Sequence, residues 1–95
     1  MKISVFGLGY VGSVSVGCFS ALGHDVIGVD VNPMKVDMIN AGQSPVIEKD
    51  LDTLISQGVQ EGRVRAVTQA AEAIADSDVS FVLSLIHISV PTRPY

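Results

Sequence analysis

The chain has 95 residues, of which 47% are hydrophobic and 17% charged, and its formal net charge is −4 at pH 7. This composition predicts one small globular domain and excludes a disordered chain. The acidic balance and the lack of a Lys/Arg cluster argue against a nucleic-acid partner, and no apolar run is long enough to span a membrane. One cysteine and no signal-peptide layout lead us to expect a cytoplasmic protein.

The chain opens with a predicted strand from Lys2 to Phe6, which leads into the G-x-G-x-x-G turn Gly7-Leu8-Gly9-Tyr10-Val11-Gly12. Gly7 would allow a tight turn out of the strand, Gly9 would leave room for a pyrophosphate, and Gly12 would let the next helix pack closely. The free amides of that helix would face an anion. Glycine turns also occur for purely structural reasons, so this motif needs support from its context.

The context is a complete strand–helix–strand unit. We predict a helix over Ser13 to Leu22, with an apolar stripe that includes Cys18 on its buried side, and then a strand from Asp25 to Asp30. Asp30 stands about 20 positions beyond the glycines, where dinucleotide-binding folds place an acid on the adenosine ribose. Strand, glycines, helix and acid together favour dinucleotide binding over a structural turn, although Asp30 alone could be only a polar strand end.

Three further helices and two further strands are predicted downstream. They are a helix capped by Asn32 that reaches about Ala41, a helix over Glu48 to Gln57, a strand over Arg63 to Val67, a helix over Thr68 to Ala75, and a strand over Val79 to Leu83. The fold class is therefore α/β: a Rossmann-type parallel sheet with helices on both faces, which we expect to be truncated after its fourth strand. Residues 84–95 fit no further element, because Pro91 and Pro94 interrupt them.

Four segments resemble the amino-terminal region of the UDP-glucose/GDP-mannose dehydrogenase family. They are Phe6 to Gly12, Gly23 to Asp30, Ile39 to Pro45 and Asp76 to Phe81, and within the family the chain most resembles the GDP-mannose members. The resemblance runs from Met1 to about Val82. We therefore interpret residues 1–83 as part of an NAD-binding Rossmann domain, and residues 84–95 as a tail foreign to the family that looks like a translated sequencing adapter.

This resemblance implies a function and a set of cofactor contacts. Family members oxidise the C6 hydroxyl of a nucleotide sugar to a carboxylate by two hydride transfers to NAD, through a covalent intermediate on a cysteine far downstream. It places Tyr10 and Val11 at the pyrophosphate turn, beside the three glycines, and Asp30 and Lys35 at the adenosine ribose. No catalytic residue and no metal ligand is assigned to this chain, which we expect to be inactive alone and to come from a homo-oligomeric parent.

The chain differs from the family at two places, and alternative roles remain for some of its residues and for the chain as a whole. Relatives carry Gly-Thr-Pro after the fourth strand, where this chain has residues 83–88. Relatives also often carry Pro-Gly after the acid at Glu48, where this chain has Lys49-Asp50. Glu48 is expected to be a helix-dipole partner, and Lys35 could be an ordinary solvated lysine. A flavin-dependent oxidoreductase fragment and a non-catalytic nucleotide-binding module are the alternative functions, and Asp30 favours NAD over flavin.

Overall fold

The computed structural model describes residues 1–83; the predicted foreign tail, residues 84–95, lies outside the described residues. The described residues form four strands and four helices that alternate almost regularly along the chain. In chain order these are β1 (Lys2–Phe6), α1 (Tyr10–Ala21), β2 (Asp25–Val29), α2 (Pro33–Asn40), α3 (Leu51–Gln60), β3 (Val64–Val67), α4 (Ala70–Ala75) and β4 (Val79–Val82).

All neighbouring strands are parallel, and their order across the sheet is β3-β2-β1-β4. Helices cover both faces. The larger core joins alternate residues of β1, β2 and β3 to α1, α2 and α3, while a smaller one brings Ile27 and Val29 of β2 against Ala73 of α4. The predicted fold class, a Rossmann-type parallel sheet with helices on both faces, is confirmed.

The first helix packs through small residues, and here the prediction from the apolar stripe is wrong. Its buried residues are Gly12, Ser13, Val16, Gly17 and Ser20, whereas Cys18 is exposed. A Cβ atom on Gly17 would lie only 2.5 Å from a methyl carbon of Leu51 on α3. Because Leu51 lies this close to α1, only a residue without a side chain fits at position 17.

The other helix boundaries follow the predicted ones with local differences. Asn32 caps α2, because its side chain accepts a hydrogen bond from the Met34 amide at 2.9 Å, and Pro33 opens the helix as predicted. Helix α3 begins at Leu51, later than the predicted Glu48, because Asp50 has left-handed backbone dihedrals (φ 65°) that no helix accommodates. Within residues 1–83, no helix is long and apolar enough to cross a membrane.

Candidate functional site

The predicted site residues gather where β1 and β2 end. The chain leaves β1 through the glycine turn into α1, and it leaves β2 at Asp30 on the way to α2. The strand order changes direction at β1, since β2 and β3 lie on one side of it and β4 on the other. In open α/β sheets, ligands bind outside the carboxyl ends of the strands at such a reversal. The site therefore occupies the position that the fold offers to a ligand.

The three glycines of the turn occupy different environments. Gly7 has a φ of 99°, a conformation that side chains rarely adopt, and its N–H donates to the Val29 carbonyl oxygen at 2.8 Å. A Cβ on Gly12 would overlap the carbonyl oxygen of Gly7, so α1 can begin this close to β1 only with glycine there. Gly9 differs from both: an added Cβ would meet nothing within 4 Å. The space beside Gly9 is therefore open in the direction a ligand would approach.

Asp30 is bound to the glycine turn as well as to its own strand end. Its Oδ2 accepts a hydrogen bond from the Leu8 N–H at 2.8 Å, and its Oδ1 accepts one from the Asn32 N–H at 2.9 Å. Each carboxylate oxygen has two lone pairs, so both remain able to accept a further bond from a ribose hydroxyl. The sequence pattern pointed to Asp30 but did not reveal this bond, which spans 22 positions of the chain.

The remaining site residues surround the turn without forming one contact network. Tyr10 and Val11 open α1 and are exposed, and Lys35 lies half-buried in the first turn of α2. The Tyr10 hydroxyl donates a 2.6 Å hydrogen bond to Oε1 of Glu48, which lies in the connection between α2 and α3. That bond, followed by the negative charge of Glu48, raises the pKa of Tyr10 above its usual value. Sequence reasoning treated Glu48 as a dipole partner and missed this contact.

This geometry fits a dinucleotide better than it fits a metal ion. The N-terminus of α1 has a glycine cap that makes no side-chain hydrogen bond, and Ser13 donates the first ladder bond, to the Gly9 carbonyl oxygen at 2.9 Å. The amides before Ser13 therefore have no partner within the helix, which suits a phosphate. Residues 1–83 contain no group of three His, Cys, Asp or Glu side chains that could hold a metal.

Comparison with known proteins identifies the family of the chain. Residues 1–93 match the model of the NAD binding domain of the UDP-glucose/GDP-mannose dehydrogenase family. The GDP-mannose 6-dehydrogenase of Pseudomonas aeruginosa is 56% identical over 82 residues, covering 86% of this chain and 19% of that protein. The UDP-glucose 6-dehydrogenase of Rhizobium meliloti is 43% identical over 93 residues, covering 98% of this chain and 20% of that protein.

Solved structures of similar dehydrogenases match the fold of this chain. A ternary complex of GDP-mannose dehydrogenase from Pseudomonas aeruginosa matches with a TM-score of 0.87 and 55% identity, over 88% of this chain and 19% of that one. A UDP-glucose dehydrogenase from Pyrobaculum islandicum matches with a TM-score of 0.80 and 40% identity, over 85% and 19%. The chain thus spans about a fifth of the length of its relatives. Because the matching family domain binds NAD, the predicted cofactor is confirmed and the flavin alternative loses its support.

Proposed function

The chain belongs to the UDP-glucose/GDP-mannose dehydrogenase family, and on that premise we propose that it forms the adenine-side half of the NAD site in a nucleotide-sugar 6-dehydrogenase. In the parent enzyme, the C6 hydroxyl of the sugar would become a carboxylate by two successive hydride transfers to two molecules of NAD, with water supplying the second carboxylate oxygen. We propose GDP-mannose as the substrate, because six similar GDP-mannose 6-dehydrogenases are 45–56% identical to this chain and two similar UDP-glucose 6-dehydrogenases are 40–43% identical. A homo-oligomeric parent remains part of this proposal.

The observation that carries the proposal is the open space beside Gly9, in a turn whose two ends are held by other residues. Asp30 holds one end of the turn through the Leu8 amide, and Gly12 brings the start of α1 against Gly7. We propose that the pyrophosphate lies on the amides of Tyr10 and Val11, and that Asp30 receives the ribose hydroxyls with Lys35 beside them. No residue in 1–83 is assigned to the chemical step, so the 95-residue chain should bind the cofactor without oxidising the sugar.

The decisive test is Gly9→Val. Gly9 has a φ of −77°, outside the left-handed region that favours glycine, and a side chain there would extend into open space, since an added Cβ meets nothing within 4 Å. We therefore expect an unchanged fold and at least a tenfold loss of NAD affinity, measured by calorimetry. Cys18→Val is the matched control, since it places the same side chain on an exposed position of α1, the helix that Gly9 precedes. Unchanged NAD affinity in Gly9→Val would contradict the proposal.

Discrimination between cofactors tests the role of Asp30. A carboxylate there should repel the 2′-phosphate of NADP, and the two residues that follow, Val31 and Asn32, offer no positive charge to hold it. The chain should bind NAD at least tenfold more tightly than NADP. Asp30→Asn, whose amide oxygen can still accept the Leu8 bond although its amide nitrogen cannot accept the one from Asn32, should reduce this preference. Equal affinities for both cofactors in the unaltered chain would contradict the proposed contact between Asp30 and the ribose.

A further inference from the structure

The hydrogen bond between Tyr10 and Glu48 joins the pyrophosphate turn to a distant part of the chain. It spans 38 positions and links the first residue of α1 to the connection between α2 and α3. The donor is the residue directly after the open Gly9, and the acceptor is a charged carboxylate, which makes the bond stronger than a neutral one. Both side chains are exposed, so burial does not account for their meeting.

The segment that presents Glu48 is itself held in place. The buried Ser44 donates its hydroxyl hydrogen to the Val46 carbonyl oxygen at 2.6 Å, and its N–H donates to Oδ1 of Asp52 at 2.5 Å. The carbonyl oxygen of Glu48 accepts from the Leu51 amide at 3.2 Å, at the start of α3. The backbone on both sides of Glu48 is thus held by hydrogen bonds, and the Glu48 carboxylate in turn binds the Tyr10 hydroxyl.

The turn is then held at three places. Asp30 binds the Leu8 N–H from the side of β2, the Ser13 hydroxyl donates to the Leu8 carbonyl oxygen at 3.1 Å, and Glu48 holds Tyr10 from the side of α3. We propose that Glu48 is a positioning residue of the pyrophosphate turn, and that its bond to Tyr10 fixes the start of α1 in the orientation that receives the cofactor. This inference rests on the proposed function, because it assumes that the amides of α1 bind the phosphates.

The sign of the expected effect separates this role from that of an ordinary surface charge. An acid near a bound pyrophosphate repels it, so removing a merely neighbouring carboxylate should strengthen binding. Removing a positioning bond should instead weaken binding, because the turn would have to be ordered when the ligand arrives. Glu48→Ala therefore gives opposite results under the two views. Asp37→Ala, which removes an exposed acid from α2, is the control for charge alone.

The chain offers a direct optical probe of the bond. It contains two tyrosines and no tryptophan, so Tyr95→Phe leaves Tyr10 as the only tyrosine. In that background, the near-ultraviolet absorbance of tyrosinate during a pH titration reports the pKa of Tyr10 alone. Because the Glu48 bond raises that pKa, Glu48→Ala should lower it. An unchanged titration would show that the bond does not exist in solution.

The closing experiment measures ADP-ribose affinity by calorimetry in the Tyr95→Phe background. Glu48→Ala and Tyr10→Phe should each bind about two- to tenfold more weakly, and the double variant should bind no more weakly than either, as expected for one shared hydrogen bond. Glu48→Gln, which keeps an acceptor, should restore most of the affinity. Equal or tighter binding by Glu48→Ala would overturn this inference alone. Failure of the background chain to bind ADP-ribose would overturn the proposed function and this inference together.

Discussion

The two edge strands of the sheet, β3 and β4, differ in how their outer edges are covered. On β3, the side chain of Asn40 from α2 binds the outward-facing backbone of Ala66: its Nδ2 donates to the carbonyl oxygen at 3.0 Å and its Oδ1 accepts from the N–H at 2.8 Å. A primary amide carries the same donor and acceptor as a peptide group. Asn40 therefore takes the place of one residue of a neighbouring strand at the β3 edge.

The opposite edge, β4, has no such cover among the described residues. Its side chains carry no charge, and Val79, Phe81, Val82 and the following Leu83 are 38%, 41%, 51% and 37% exposed. Exposed apolar edges promote association with other strands, and monomeric proteins usually protect them with charge. In dinucleotide-binding folds with the strand order 3-2-1-4, the sheet continues beyond the fourth strand. A β3 edge that is covered at Ala66 and an apolar β4 fit a sheet that extends beyond β4 and not beyond β3.

Opening the β3 edge should have the largest effect. Asn40→Ala removes both bonds to Ala66, whose backbone is nearly buried, and we expect a loss of about 2 kcal/mol in the free energy of unfolding. Urea denaturation measures this change. Gln43→Ala removes an exposed amide from the same part of the chain and should change stability by less than about 0.5 kcal/mol. Equal stability of the two variants would show that Asn40 does not secure this edge.

The helix that supports the β3 side provides a smaller test. Asp50 precedes α3 with a φ of 65° and makes no capping bond through its side chain. Asp50→Gly and Asp50→Ala lose the same charge, but only alanine keeps the cost of a left-handed backbone. The glycine variant should therefore be more stable than the alanine variant by about 1 kcal/mol in thermal unfolding. The reverse order would mean that the backbone relaxes at Asp50.

The sequence predicted this architecture well where a local signal was unambiguous. The Asn32-Pro33 cap and the alternation of strands and helices led to the correct fold class, because each depends on neighbouring residues. The buried face of α1 was predicted wrongly at Cys18, since that face is formed mainly by small residues such as Gly17, which lies against Leu51. Hydrophobic periodicity cannot detect that preference, because it depends on how near the next helix lies.

Contacts between distant residues of the candidate site were not predicted from the sequence either. The motif spacing pointed to the glycines and Asp30, but the bonds of Asp30 to Leu8 and of Tyr10 to Glu48 join residues 22 and 38 positions apart. Side-chain contacts over such separations follow from the path of the folded chain and leave no periodic signal. The closing of β3 by Asn40, which acts across 26 positions, was missed for the same reason. Sequence patterns pointed to residues within single segments, and the structure showed the hydrogen bonds that join those segments.

The smallest effect on stability should come from placing a charge on the open edge. Val82 lies on β4 and is half-exposed, so Val82→Lys should change the free energy of unfolding by less than about 1 kcal/mol. Its effect on association should be clear, because a lysine on an edge strand prevents pairing with a second sheet. Sedimentation at increasing concentration should show self-association of the unaltered chain and less of it in Val82→Lys. Val31→Lys is the control, since Val31 is 90% exposed and lies outside the strands. A monomeric unaltered chain at high concentration would show that β4 does not behave as an open edge, and the contrast with β3 would then lie in packing alone.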